Sequence, residues 1–271
     1  MVFMSHRNRQ PPPLTEPVRR IESGPWAIEL LPGSAYATRY VATQAAIGFA
    51  FESQRGLHAI GSDRVQPFNA MPNGLAFVPA ECDVFSESPE GGEYLRVMRT
   101  DGIALVEDRA FNNRIDQPAI TLAWRMRGAL LHASVEDDWE AWAIGLAERV
   151  KGSETLSAPP SGAITGRRMR LLDEFLDAGL DGPLGVAAMA ALLGLSEGYF
   201  MRAFKNATGK SPHSYLIDRR LAKARALMRD STARLTDIAQ TCGFNSQAHM
   251  TTLFKQRLGV SPAQLRRNSG P

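Results

Sequence analysis

The strongest constraint on how this chain folds is a repeat: residues 189–265 contain one unit of about fifty residues twice. The first copy reads MAALLGLSEGYFMRAFKNATGKSP and the second IAQTCGFNSQAHMTTLFKQRLGVSP. Up to the glycine the offset is 49, as in Met189/Ile238, Ala190/Ala239 and Gly194/Gly243. One inserted residue then makes it 50, as in Ser196/Ser246, Phe204/Phe254, Lys205/Lys255, Gly209/Gly259 and Pro212/Pro262. Two copies are too few for a solenoid, which buries a continuous core only when about three or more units stack. They specify a tandem of small modules.

Each copy has the grammar of two helices around a tight turn. The first helix carries Val186, Met189, Ala190 and Leu193 on one face, or Leu235, Ile238 and Ala239 in the second copy. Gly194 or Gly243 supplies the positive φ needed to leave it. Leu195 or Phe244 plugs the turn, and Ser196, or Asn245 or Ser246, caps the next helix. That helix buries Phe200 and Phe204, or Met250 and Phe254, at i, i+4 spacing and leaves its other face polar. It ends at Gly209 or Gly259, and Ser-Pro opens the next segment. A plain helical bundle also uses glycine-terminated helix pairs. Two copies in register, joined by one basic helix over 212–229, favour a helix-turn-helix, whose second helix can enter a DNA major groove. A connector of eighteen residues spans about 27 Å at 1.5 Å per residue, against about 34 Å between successive major-groove faces. One chain would then meet two adjacent groove segments.

The stretch 167–267 resembles the DNA-binding domain of the AraC/XylS family of bacterial transcription regulators. The resemblance is carried by LGLSEGYFMRAFK, GKSPHSYLIDRRLAKARALM and LTDIAQTCGFNSQAHMTTLFKQRLGVSPAQLRR. It implies promoter DNA as a partner, with the base-reading places of the motif falling on Gly198, Met201 and Arg202, then on Gln247, Ala248, Thr251 and Thr252. Arg202 has the donors for guanine and Gln247 the pair for adenine, while Met201 and threonine methyls suit thymine methyls. Phosphate contacts are expected from Ser196, Ser246, Lys205, Lys255 and Arg220. Arg220 matches the family's linker-helix arginine, and the alternative to its phosphate contact is a brace between the two modules. Gly198 and Ala248 are blunt, so specificity would lean on DNA shape. The family more often activates by touching RNA polymerase, which makes activator the expected sign.

Charge agrees with this. Residues 163–271 hold sixteen Lys and Arg against eight Asp and Glu, a net of +8, which leaves −5 for 1–162. A basic unit joined to an acidic one is the footprint expected for nucleic-acid binding. Cys82 and Cys242 are the only cysteines, too few for a disulfide framework or a thiolate metal site. No apolar run reaches the length of a membrane span and the start lacks a secretory core, so the cytoplasm is the expected location.

The preceding residues read differently. Residues 1–16, with three consecutive prolines, read as a mobile arm, which in some relatives folds over a bound effector. Short β segments are expected at 26–31, 36–42, 46–51, 57–60, 75–78 and 94–99, separated by turn signals such as Pro32-Gly33 and Pro72-Asn73-Gly74. They imply a β-sandwich or small barrel over 17–101. GLAFVPAECDVFSESPEGGEYLRVM resembles part of the cupin-like effector domain that often precedes this DNA-binding domain. A cupin metal centre needs clustered histidines, and the β region has only His58, so neither metal nor cofactor is expected. No nucleophile motif or phosphate loop occurs, and an enzyme is not expected. A closed β unit can instead hold a small-molecule effector. Trp26, Phe49, Phe51, His58, Phe68 and Phe77 are candidate wall residues or ordinary core.

Residues 118–132 and 136–150 read as amphipathic helices whose stripes either pack on the β unit or form a homodimer contact. Residues 151–166, broken by Pro159-Pro160, read as a linker. The expected fold is therefore α+β and multidomain. An effector-binding and dimerisation domain over 17–150 (β-rich 17–101, helical 118–150) is a β-barrel or cupin-like unit with two helices. An all-α domain over 167–271 has two helix-turn-helix motifs joined by a linker helix. The expected function is a sequence-specific DNA-binding regulator controlled by a small effector. The alternative is a DNA-binding regulator whose first domain serves only dimerisation or protein contacts.

Overall fold

The computed structural model describes residues 18–105, 109–132, 137–151, 164–230, 233–258 and 260–268. The expected arm, 1–16, lies outside the described residues, as does most of the expected linker. Among the described residues, two antiparallel sheets form the first part. The six-stranded sheet joins β1 (Arg19–Ser23), β2 (Trp26–Leu31), β9 (Tyr94–Arg99), β4 (Ala46–Ala50), β7 (Gly74–Val78) and β10 (Phe111–Arg114), in that spatial order. The four-stranded sheet runs β3 (Tyr36–Ala42), β8 (Cys82–Ser88), β5 (Gln54–Ile60), β6 (Gln66–Ala70).

Side-chain alternation decides which face of the larger sheet does what. On one face Ile47, Phe49, Leu75, Phe77, Leu95 and Val97 are fully buried. They pack beneath α1 (Gln117–His132) and α2 (Trp139–Val150), against Ala119, Ala123, Met126, Ala143 and Leu146. Each such large side chain contributes about 1.5–3 kcal/mol relative to exposure. The intervening residues of β4 and β7 on the other face are small: Ala46, Gly48 and Ala50, then Gly74 and Ala76. A face of small side chains cannot fill the space to the second sheet, and a cavity remains there. The layers are thus helix pair, large sheet, cavity, small sheet.

Every expected strand is present, but β1, β6, β8 and β10 were not expected. The β8 sequence CDVFSES alternates weakly, yet it pairs with β3 on one side and β5 on the other. The second helix starts at Trp139, later than the expected 136, because Asp138 caps it and accepts from the Ala141 amide at 3.0 Å.

Among the described residues, seven helices form the second part: α3 (Gly166–Ala178), α4 (Val186–Leu192), α5 (Glu197–Thr208), α6 (Pro212–Asp230), α7 (Leu235–Thr241), α8 (Gln247–Leu258) and α9 (Pro262–Asn268). One core gathers α3, α4, α5 and the start of α6 around Leu172, Met189, Phe200, Phe204 and Tyr215. The other gathers the rest of α6 with α7, α8 and α9 around Ala224, Ile238, Cys242, Met250 and Phe254. The connector α6 therefore belongs to both. No helix among the described residues is long and apolar enough to cross a membrane.

Candidate nucleic-acid interface and inter-sheet cavity

The two turns are built alike. The Leu195 amide donates to Ala190 O at 3.0 Å and the Phe244 amide to Ala239 O at 2.9 Å, closing both first helices around Gly194 (φ +65°) and Gly243 (φ +74°). Ser196 Oγ accepts from the Tyr199 amide at 3.4 Å, and Ser246 Oγ from the His249 amide at 3.1 Å. Ser246 is thus the second cap, rather than Asn245. In each case the hydroxyl proton remains available to an anion, which is what a phosphate contact at a helix N-terminus uses.

Phe200, Phe204, Met250 and Phe254 are fully buried, which turns the opposite faces of α5 and α8 outward. Met201, Arg202, Lys205, Ser196, Ser246, Gln247, Ala248, Thr252 and Lys255 are exposed, while Gly198 and Thr251 are half-buried. The Thr252 hydroxyl donates to Ala248 O at 3.1 Å, leaving its methyl as the outward group. Arg202, Lys205 and Lys255 form no ion pair among the described residues. Arg220 is different. Its Nε donates to Leu180 O at 3.0 Å and its Nη2 to Gly182 O at 2.8 Å. It braces the loop after α3 against the second module. Two of its five N–H donors are thus engaged by backbone carbonyls, the bracing arrangement that the sequence left open beside a phosphate contact.

The cavity between the sheets measures about 570 Å³. His58 and Phe68 line it, their rings stacked with centroids 5.1 Å apart. Trp26, Phe49, Phe51 and Phe77 do not line it; they lie in the core beneath α1 and α2. The parity of the strand explains the difference. In β4 and β7 the aromatic positions alternate with Gly48, Ala50 and Ala76, and it is the small residues that face the cavity. The residues missed from sequence are Ser34, Tyr36, Gln54, Tyr94 and Arg96. The legible signal was the run of small residues at every second place, not the aromatics between them.

Gly48 is required here by space. A Cβ on it would lie 1.7 Å from the Tyr94 hydroxyl, because Tyr94 lies flat across the sheet over that position. Tyr36 Oη shares a hydrogen bond with Ser86 Oγ at 3.1 Å and donates to Gln54 Oε1 at 3.4 Å, while Gln54 Nε2 donates to Gly92 O at 3.1 Å. Arg96 Nε donates to Glu29 at 2.8 Å, and Arg20 Nη1 donates to the other Glu29 oxygen at 2.6 Å. This Arg-Glu-Arg row crosses three neighbouring strands in register. Burial holds the His58 imidazole below its ordinary pKa and pushes the Tyr94 phenol up. No group of residues that could hold a metal ion occurs among the described residues.

Residues 189–268 match the family model described as a helix-turn-helix domain. The probable transcriptional regulator LumQ of Photobacterium leiognathi is 31% identical over 96 residues, covering 35% of this chain and 39% of LumQ. The HTH-type transcriptional activator RhaS of Escherichia coli (strain K12 / DH10B) is 38% identical over 99 residues, 36% of either chain. Among solved structures, the DNA-binding domain of AdpA, described as a global transcriptional factor in complex with a target DNA, is 30% identical. It covers 37% of this chain and 89% of that one at a TM-score of 0.35. The chain thus spans little more than a third of the length of the curated relatives it matches. These relatives are named as transcription regulators, not enzymes. With its two caps, its two glycine turns and its two outward helices, the C-terminal part of this chain is a helix-turn-helix domain similar to those of AraC/XylS-type regulators.

Proposed function

We propose that this chain is a sequence-specific transcription regulator that lays α5 and α8 into successive major-groove segments of promoter DNA. The observation that carries the reading is the pairing of two identically built turns with two outward helix faces on which Arg202, Lys205 and Lys255 stand outside any ion pair among the described residues. The helix α6 has 19 residues, about 28 Å at 1.5 Å per residue, which suits a step of about one DNA turn. The two readers differ at nearly every exposed position, so the site is asymmetric. The RhaS relationship supports activation, with RNA polymerase as the contact. The inter-sheet cavity is the place for a small-molecule effector, since it is concave, mainly apolar and provided with a few polar groups. Homodimerisation is assigned to 118–150, where Ile144 on α2 stays 46% exposed.

The test is selection of a binding site from random duplexes with the full chain, followed by anisotropy titration. A selected duplex is expected to bind at least about a thousandfold more tightly than a scrambled one. Equal affinities would overturn the reading.

A further inference from the structure

The cavity wall has a specific chemistry. Among the described residues, Arg96 is the only lining side chain with a full charge at neutral pH: burial holds His58 below its ordinary pKa and pushes the Tyr36 and Tyr94 phenols above theirs. Arg96 is already committed to Glu29, a carboxylate only 6% exposed. An anionic ligand that took Arg96 would strip a partner from that buried charge, a costly exchange. A cation would find no lining carboxylate among the described residues. The body of the cavity is aromatic, from the stacked His58 and Phe68 to Tyr94 and Phe111.

One end is polar and incomplete. Ser34 is 6% exposed, and its Oγ has no hydrogen-bond partner among the described residues although it lines the cavity. Gln54, 4% exposed, stands in the same wall beside Gly92. Ser34 and Gly92 also border a second cavity, of about 560 Å³, that opens against α6. A buried hydroxyl without a partner is a standing cost that a ligand group relieves.

We infer that the inter-sheet cavity takes an uncharged aromatic molecule with a hydroxyl or carbonyl group at one end, and that this group hydrogen-bonds Ser34 at the Gln54 end. The inference rests on the effector reading above. Stacking on the His58–Phe68 pair holds the ring system, and the Ser34 bond sets which way round it lies.

The test uses matched pairs of probes on the full chain by calorimetry at pH 7.5: 2-naphthol with 2-naphthoate, and 4-phenylphenol with biphenyl-4-carboxylate. The phenols are expected to bind at least about tenfold more tightly than the carboxylates, as one unfavourable charge exchange requires. Ser34→Ala is expected to weaken the phenols about fivefold, the worth of one hydrogen bond, without lowering the melting temperature of the unliganded protein. Ala76→Leu, which fills the cavity, is expected to abolish binding. Carboxylates that bind as well as phenols, or phenol affinity unchanged in Ser34→Ala, would overturn the ligand class while leaving an effector site in place. If no probe of either kind binds and Ala76→Leu alters nothing, the effector reading itself falls.

Discussion

The two turn glycines occupy equivalent places in the repeat and have unequal surroundings. Gly194 has nothing within 4 Å of where a Cβ would stand. At Gly243 the same atom would lie 2.2 Å from Leu180 O and 2.8 Å from the Arg220 guanidinium. An alanine at either place takes on the left-handed penalty of about 1–2 kcal/mol. Only Gly243→Ala must also displace the brace that Arg220 makes to Leu180 and Gly182. Gly243→Ala is therefore expected to cost at least about 1 kcal/mol more than Gly194→Ala by urea denaturation; equal losses would show that the brace yields freely. Both glycines were legible in the sequence as turn residues, because a positive φ leaves a residue-type signature. The closeness of Leu180 to the second copy was not legible. It depends on a contact between residues 63 apart that no local pattern encodes. The same limit applies to Ser34 and Gln54, which are ordinary polar residues until two sheets face each other across them.

At the scale of elements, local periodicity carried most of the fold. The i, i+4 aromatics of α5 and the equivalent Met250 and Phe254 of α8 gave their inward faces directly, and hence their outward ones. Strand parity was harder to use, because β4 offers a large face and a small face and the sequence does not say which one meets a helix. Strand β8 escaped notice because a strand paired on both sides can be held by backbone bonds with little apolar contrast. For the outward helix faces two substitutions separate base reading from phosphate contact. Arg202→Ala is expected to weaken a selected site by about 1–3 kcal/mol and to relax preference at one base pair. Lys255→Ala is expected to weaken selected and scrambled duplexes alike, and to lower the slope of log affinity against log salt by about one. A Lys255 variant that changed sequence preference, or an Arg202 variant that changed only the salt slope, would exchange the two roles.

Across the whole molecule, the charge asymmetry read from the sequence turns out to have two uses. Several cations of the helical part face the β part or acids of their own part rather than solvent. Arg225 pairs with Glu52, Lys210 donates to Phe51 O at 3.1 Å and to Asp218 at 2.8 Å, and Arg219 donates to Ser53 Oγ at 2.7 Å. In the other direction Asn73 Nδ2 donates to Thr208 O at 2.6 Å and Arg127 donates to Arg257 O. These last two bonds hold the C-terminal ends of α5 and α8, so both readers are docked on one body by the ends that face away from the proposed DNA. The segment 51–54 between β4 and β5 is the centre of this contact. Burial alone would raise the Glu52 carboxyl, but Arg225 beside it, the Glu93 amide, Arg127 and Lys210 together hold it below its usual range. A carboxyl so depressed stabilises the fold fully above its unfolded pKa of about 4.3, and the contribution is lost as pH falls through the lower folded value. Asp173 works in the opposite sense: burial raises it despite Arg219 and the Tyr215 hydroxyl, so its contribution is lost as pH rises. Glu52→Gln isolates the first of these. It leaves Arg225, whose side chain is 7% exposed, facing a neutral amide, and is expected to cost about 3 kcal/mol at pH 7. Because the carboxylate is the origin of that difference, wild type and variant should converge in stability once the pH falls below the depressed folded-state pKa of Glu52. A gap that persists unchanged in acid would mean that Glu52 acts through shape and not charge.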